Sequence, residues 1–186
     1  MGGEWGGRRL KVPDRETLRP SAGRVKSAIF SILESIQWKR AGAPDFSGWQ
    51  CLDLFAGVGG LGLEILSRGA ATCVFVEKDR KHAAVLRENI ESLEAQSRCV
   101  ILNEPSEKGG WELKGPFDLI LMDPPYAAKE LDLVLEKIST TSVLRVGGIL
   151  LLEHGPERNF AEKIGGLALQ SSRKLGPAGI SVFLRS

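Results

Sequence analysis

Cys51-Leu52-Asp53-Leu54-Phe55-Ala56-Gly57-Val58-Gly59-Gly60-Leu61-Gly62 carries a short apolar run straight into a turn dense in glycine. Cys51 to Leu54 has the character of a strand buried on both faces, as in parallel sheets. Glycines then allow a tight reversal, and a helix is expected through about Arg68, closed by Gly69. Strand, glycine turn and helix in that order make the opening of a βα unit. Sheets built from such units bind ligands at the carboxyl ends of their strands.

The same alternation continues downstream. Thr72 to Val76 reads as a second strand, and Asp79 is placed to cap a helix carrying Ala83, Leu86, Ile90 and Leu93. Cys99 to Leu102 and Phe117 to Met122 supply a third and a fourth strand. A helix around Leu131, Val134, Leu135 and Ile138 leads to a strand at Ile149 to Leu152. Leu167 to Arg173 and Ile180 to Leu184 form a hairpin through Gly176-Pro177. Repeated βα units predict an α/β fold, with a mostly parallel sheet covered on both faces and an antiparallel hairpin at its edge.

Upstream, Pro20-Ser21 opens a helix that Ser21 can cap. Val25, Ala28, Ile29, Ile32, Leu33 and Ile36 line one face of it, and Gly42-Ala43-Pro44 ends it. Residues 1–20, rich in Gly, Arg and Pro with Leu10 and Val12 alternating, read as a basic arm or short hairpin before a single domain at 21–186.

The length of 186 residues and 42% hydrophobic content suit one globular domain with a real core. No apolar run approaches the ~18 residues of a membrane span, and the N-terminus lacks a signal-peptide core, so a cytoplasmic protein is expected. Net charge is +2, but residues 1–40 hold nine basic residues against four acidic, a net +5 that leaves −3 for the rest. A basic arm on a near-neutral body suits phosphate contacts, with Arg8, Arg9, Lys11, Arg19 and Arg24 as the candidates. Composition alone fits a solvated tail equally well. Cys51, Cys73 and Cys99 fall in or beside predicted strands, too widely spaced for a clustered metal site, and read as core packing. His82 and His154 are isolated and read as helix-surface and loop packing.

Gly57, Gly59 and Gly62 satisfy the G-x-G-x-x-G fingerprint, a weak signal by itself. Two neighbours argue against a pyrophosphate. Asp53 sets a carboxylate at the strand end, and Phe55 sets a bulky ring before the glycines. An anion is repelled there, whereas a cationic amino-acid moiety is welcomed. S-adenosyl-L-methionine offers both an ammonium and a sulfonium. The plain alternative is a glycine turn with a capping Asp and no ligand. Glu77, ending the second strand 24 residues after Asp53, sits near the ~20-residue offset of a ribose-binding acid. The pair therefore indicates a ligand that carries adenosine.

A second site follows the fourth strand, at Asp123-Pro124-Pro125-Tyr126. Two prolines cannot continue a strand, so they make a rigid loop that holds an aromatic ring at the sheet's carboxyl edge. Such a loop suits transfer to a flat, weakly nucleophilic amine. An exocyclic base amine can donate its N–H groups to Asp123 and to the Pro124 carbonyl, which aims the nitrogen lone pair. The carboxylate offsets charge growing on nitrogen, and Tyr126 can stack on the base. A nicotinamide dehydrogenase would leave this loop unexplained. A stiff surface or docking loop is the bland reading.

These motifs resemble the class I S-adenosylmethionine methyltransferases with an Asp/Asn-Pro-Pro-Tyr/Phe motif. Gly2-Gly3-Glu4-Trp5, Arg8-Arg9-Leu10-Lys11-Val12-Pro13, Arg19-Pro20-Ser21, Arg24-Val25-Lys26 and Leu61 through Ala70 extend the likeness. Over essentially the whole chain it is similar to the bacterial 16S rRNA (guanine(966)-N2)-methyltransferase family. The resemblance implies a Rossmann-like, seven-stranded sheet, with Asp53, Ala56, Gly57 and Gly59 at the methionine end of the cofactor. It implies Glu77 on the ribose, Asn103 or Glu104 near the adenine, and Asp123 to Tyr126 on the target guanine. Arg19, Pro20 and Ser21 would border the entrance. The implied partner is 16S rRNA, in a partly assembled small subunit, acted on by a monomer. Gly23 and Ser27 stand where relatives carry acidic residues, so that segment's internal salt bridges are not expected. Alternatives that keep the loop are a DNA or protein-glutamine amino-methyltransferase and a non-catalytic RNA-binding assembly protein.

Overall fold

The computed structural model of the chain describes residues 1–13 and 20–186. Its elements run α1 (Pro20–Ala41), β1 (Gln50–Leu54), α2 (Gly62–Ser67), β2 (Thr72–Val76), α3 (Arg80–Ser92), β3 (Cys99–Leu102), β4 (Phe117–Met122), α4 (Leu131–Thr140), β5 (Leu144–His154), β6 (Lys163–Ile164), β7 (Leu167–Leu175) and β8 (Ala178–Arg185). The strands form one sheet in the order β3-β2-β1-β4-β5-β8-β7-β6. The first five are parallel, and β8, β7 and β6 are antiparallel. The chain winds outward from β1 to β3, then returns to lay β4 on the other side of β1. That reversal opens the crevice between the β1 and β4 ends where open α/β sheets take their ligands.

Side chains alternate across the strands, so each feeds two cores. Cys51, Phe75, Leu119, Leu121, Leu151 and Val182 face α1, α2 and α3. Leu52, Val76, Ile120, Met122, Leu150 and Phe183 face α4 and the buried Trp111. Each large apolar side chain so buried contributes about 1.5–3 kcal/mol. The three cysteines are free thiols in register across β1, β2 and β3, two of them buried, as small core residues. Burial raises the pKa of all three.

Differences from expectation lie at the edges. The sheet has eight strands where seven were expected, because the two-residue β6 adds a short outer pair. β5 begins at Leu144, ahead of the apolar run, since Arg145, Val146 and Gly147 extend it in the exposed part of the sheet. The hairpin strands reach right to Gly176-Pro177, where Leu175 pairs with Ala178 and Gly176 adopts φ 59°. The cap expected from the Ser21 side chain lies outside the described residues. Ser27, at one of the positions expected to lack an ion pair, donates its hydroxyl to the Gly23 carbonyl (2.9 Å). No helix of the described residues is long and apolar enough to cross a membrane.

The start of the chain packs on this frame. Trp5 is buried and its N–H donates to Ser67 Oγ (2.8 Å), while the Gly2 N–H donates to Glu64 Oε1 (2.9 Å). Glu64 is itself buried and pairs with Lys26 (3.1 Å) and Arg68 (2.9 Å). Burial would raise its pKa, but the Gly2 N–H and the two cations hold it below the usual range.

Candidate functional site

The glycine turn is held from below and open above. Ala56 N–H donates to the Val76 carbonyl (3.0 Å), tying the turn to β2. Phe55 takes φ 62°, a left-handed conformation that costs a non-glycine residue roughly 1–2 kcal/mol, and Gly57 and Gly59 follow at 54° and 89°. A Cβ on Gly57 would meet nothing within 4 Å, so the backbone there faces room. A Cβ on Gly62 would lie 2.3 Å from Phe75 and 2.9 Å from Asp53, so the third glycine lets the helix close on the sheet.

Two carboxylates organise the turn. Asp53 is buried, and its Oδ2 accepts from the Gly62 N–H (2.8 Å) at the start of α2. The capping role expected of Asp53 is thus the one its side chain fills. Glu77 Oε2 accepts from the Gly57 N–H and its Oε1 from the Asp79 N–H, each at 2.7 Å. Asn103 donates to the Glu77 carbonyl (2.7 Å), which brings the end of β3 beside the end of β2. Glu104 is partly exposed and pairs with Lys108 (3.2 Å).

The electrostatics of this edge are negative. Burial pushes the Asp53 pKa up to about 7; the Gly62 N–H opposes that, and the charges of Asp123 and Glu77 add to it. Asp53 at the end of β1 thus feels two further carboxylates, Glu77 after β2 and Asp123 after β4. Such a set of acceptors repels a pyrophosphate and suits a cationic ligand whose ammonium and hydroxyls donate, which is the chemistry of S-adenosylmethionine.

β4 delivers the second loop. Asp123 is exposed, Pro124 buried, Pro125 exposed, and Tyr126 is 46% exposed. The Tyr126 hydroxyl donates to Glu153 Oε1 (3.3 Å), and its ring lies over Gly155, where a Cβ would come within 3.8 Å of it. Behind it, His154 is buried between the Gly155 carbonyl on Nδ1 (2.8 Å) and Ser181 Oγ on Nε2 (2.8 Å). Burial lowers its pKa. Glu153 and Gly155 bracket the end of β5 and were not singled out from sequence. The available signal was the polar Glu153-His154-Gly155 closing an apolar strand.

The candidate phosphate contacts are divided. Arg8 donates to the Ser92 carbonyl (2.5 Å) and Lys11 pairs with Glu88 (2.9 Å), so both are engaged with α3. Asn89 binds the Lys11 backbone in both directions (2.8 and 3.1 Å) and also donates to the Val58 carbonyl (3.0 Å), joining the arm to the glycine turn. Arg9 and Arg24 are exposed, with no ion pair among the described residues. Arg19 lies outside the described residues.

The sheet order, the glycine turn after β1 and the Asp-Pro-Pro-Tyr loop after β4 together define the class I methyltransferase fold. Residues 1–184 match the family model described as Conserved hypothetical protein 95, and the chain belongs to that family. It is 31% identical over 180 residues to YlbH of Bacillus subtilis, covering 95% of this chain and 93% of that one. It is 31% identical over 189 residues to the Escherichia coli protein named ribosomal RNA small subunit methyltransferase D, covering 100% of this chain and 88% of that one. Among solved structures it is similar to YhhF from Escherichia coli, with a TM-score of 0.83 and 29% identity over 100% of this chain and 96% of that chain.

Proposed function

We propose that the chain transfers the methyl group of S-adenosyl-L-methionine to the exocyclic N2 of a guanine in small-subunit (16S) ribosomal RNA. The observation that carries this is the pairing of Asp123-Pro124-Pro125-Tyr126, at the end of β4, with the carboxylate-lined turn at the ends of β1 and β2. The name of the similar Escherichia coli protein supports rRNA as the substrate. The cofactor supplies an electrophilic methyl group. Asp53, Phe55, Ala56, Gly57 and Gly59 would receive its methionine end, Glu77 its ribose, and Asn103 or Glu104 its adenine. Asp123 and the Pro124 carbonyl accept the guanine N–H groups and turn the nitrogen lone pair toward the methyl. Tyr126, braced on Gly155 and Glu153, holds the base by stacking. Positioning is the protein's main contribution, because the electrophile needs no further activation. Residues 1–20 would act as a basic arm and 21–186 as the catalytic domain, with Arg9, Arg19 and Arg24 among the phosphate contacts. A partly assembled small subunit in the cytoplasm is the proposed substrate, met by a monomer.

Asp123→Ala tests the reading. Removing one preorganised electrostatic group should lower kcat by about 10²–10³, with RNA affinity little changed because phosphate contacts dominate it. Asp123→Asn should be milder, since its amide oxygen still accepts. The readout is radiolabelled methyl transfer to unmethylated small subunits, naked 16S rRNA and DNA, with nucleoside mapping. Wild-type rates from Asp123→Ala, or label outside guanine N2, would refute the assignment.

A further inference from the structure

A cleft of about 530 Å³ lies between α1 and the β7–β8 hairpin, away from the glycine turn. Its floor is apolar, from Ile32, Ile36, Leu175 and Val182, and its rim carries Lys39, Arg40 and Arg173, with no acidic residue in the lining. Arg40 donates to the Gly147 carbonyl (2.9 Å). Lys39 and Arg173 are exposed and have no carboxylate partner among the described residues. Ser31 and Ser35 keep the α1 wall low. Trp38, seven residues after Ser31 on the same side of the helix, stands 62% exposed beside it. Its β7 wall ends at Leu175, whose partner Ala178 precedes the Gly179 paired with His154 at the end of β5, so one end of the cleft points toward the edge that holds Tyr126, while Arg40 ties the other end to Gly147.

We infer that this cleft is a second RNA track, gripping the single-stranded segment that flanks the target base. Cations without acids match phosphates, and an exposed indole offers a base-stacking platform; together they are the footprint of single-strand binding. An acidic peptide would use the cations but would leave Trp38 and the direction toward the Tyr126 edge without purpose. The inference rests on the RNA-methylation reading above.

The test titrates unmethylated 16S rRNA onto wild type, Lys39→Glu/Arg173→Glu and the gentler Lys39→Gln/Arg173→Gln over a series of KCl concentrations. Each lost phosphate contact on a single strand removes about 0.7 from the salt slope, so the pairs should lose roughly 1.4. Affinity should fall about tenfold or more in low salt, with S-adenosylmethionine affinity unchanged by calorimetry. Trp38→Ala should weaken binding at an unchanged slope. If wild type binds and methylates the RNA while both pairs keep its slope and affinity, the track is refuted. If wild type itself neither binds nor methylates RNA, the functional reading falls and this one with it.

Discussion

Glu77→Gln preserves shape while removing one acceptor from a carboxylate whose two oxygens each hold a backbone N–H at 2.7 Å. The amide oxygen can keep Gly57 or Asp79, but its NH2 then faces the other N–H. Hydrogen bonds to a charged acceptor are worth about 1.5–3 kcal/mol, and Glu77 is buried, so water cannot replace the lost partner. At roughly 2–4 °C per kcal/mol for a domain of this size, the ligand-free variant should melt about 3–12 °C below wild type. The ribose assignment adds a second, separable effect. Saturating S-adenosylmethionine stabilises the folded state by RT ln(1 + [L]/Kd). Losing the acceptor of a ribose hydroxyl should raise Kd by roughly 5- to 150-fold, for a loss of about 1–3 kcal/mol. Thermal melts with and without cofactor, with calorimetry beside them, read both. A variant that melts lower without ligand but keeps the full cofactor increment would refute the ribose role. One that melts with wild type would refute the reasoning about the turn.

Asp53→Asn should flatten the pH dependence of stability. The folded chain holds the Asp53 proton up to about 7 while the unfolded chain releases it near 3.8, so native stability falls as pH rises through that window and levels above it. Asn still accepts from Gly62, so the variant should gain on wild type in melts between pH 5 and 8 while binding the cofactor less tightly; parallel curves would contradict the assignment. Glu64→Ala should cost about 1–3 kcal/mol, because Lys26, Arg68 and the Gly2 N–H lose a common buried partner while the partly exposed cations keep water and Arg68 keeps Glu34. Urea denaturation checks it, and a change under 1 kcal/mol, the range of exposed pairs, would show the cluster to be dispensable.

The parallel half of the fold was legible because buried strands announce themselves. Thr72 to Val76, Cys99 to Leu102 and Phe117 to Met122 are apolar runs interrupted only by Thr72 and Asp118, and their bounds agree with β2, the less buried edge strand β3, and β4. Asp79 at the start of α3 was legible for a local reason, since an Asx cap acts within three residues and accepts from Lys81 and His82. β6 was not, because two residues carry no periodicity. The first part of β5 was missed because Arg145-Val146-Gly147 lies beyond the buried sheet, where composition stops tracking structure. At the site, residues adjacent in sequence were found together. Glu64, Asn89 and Glu153 were not, because their partners come from distant segments: Gly2 and Lys26, Lys11 and Val58, and Tyr126.

Asn89 joins two parts of the molecule that chemistry would otherwise treat separately. Its amide is 1% exposed, and its two N–H donations and one acceptance are all taken, by Lys11 and by the Val58 carbonyl. A ligand that drew Lys11 away would strand a buried amide, at roughly 1–3 kcal/mol, and loosen the brace beneath the glycine turn. Linkage is reciprocal, so a ligand that displaces the Val58 carbonyl on filling the turn would be felt at Lys11 by the same free energy. One buried side chain is thus a shared neighbour of the basic start of the chain and of the glycine turn.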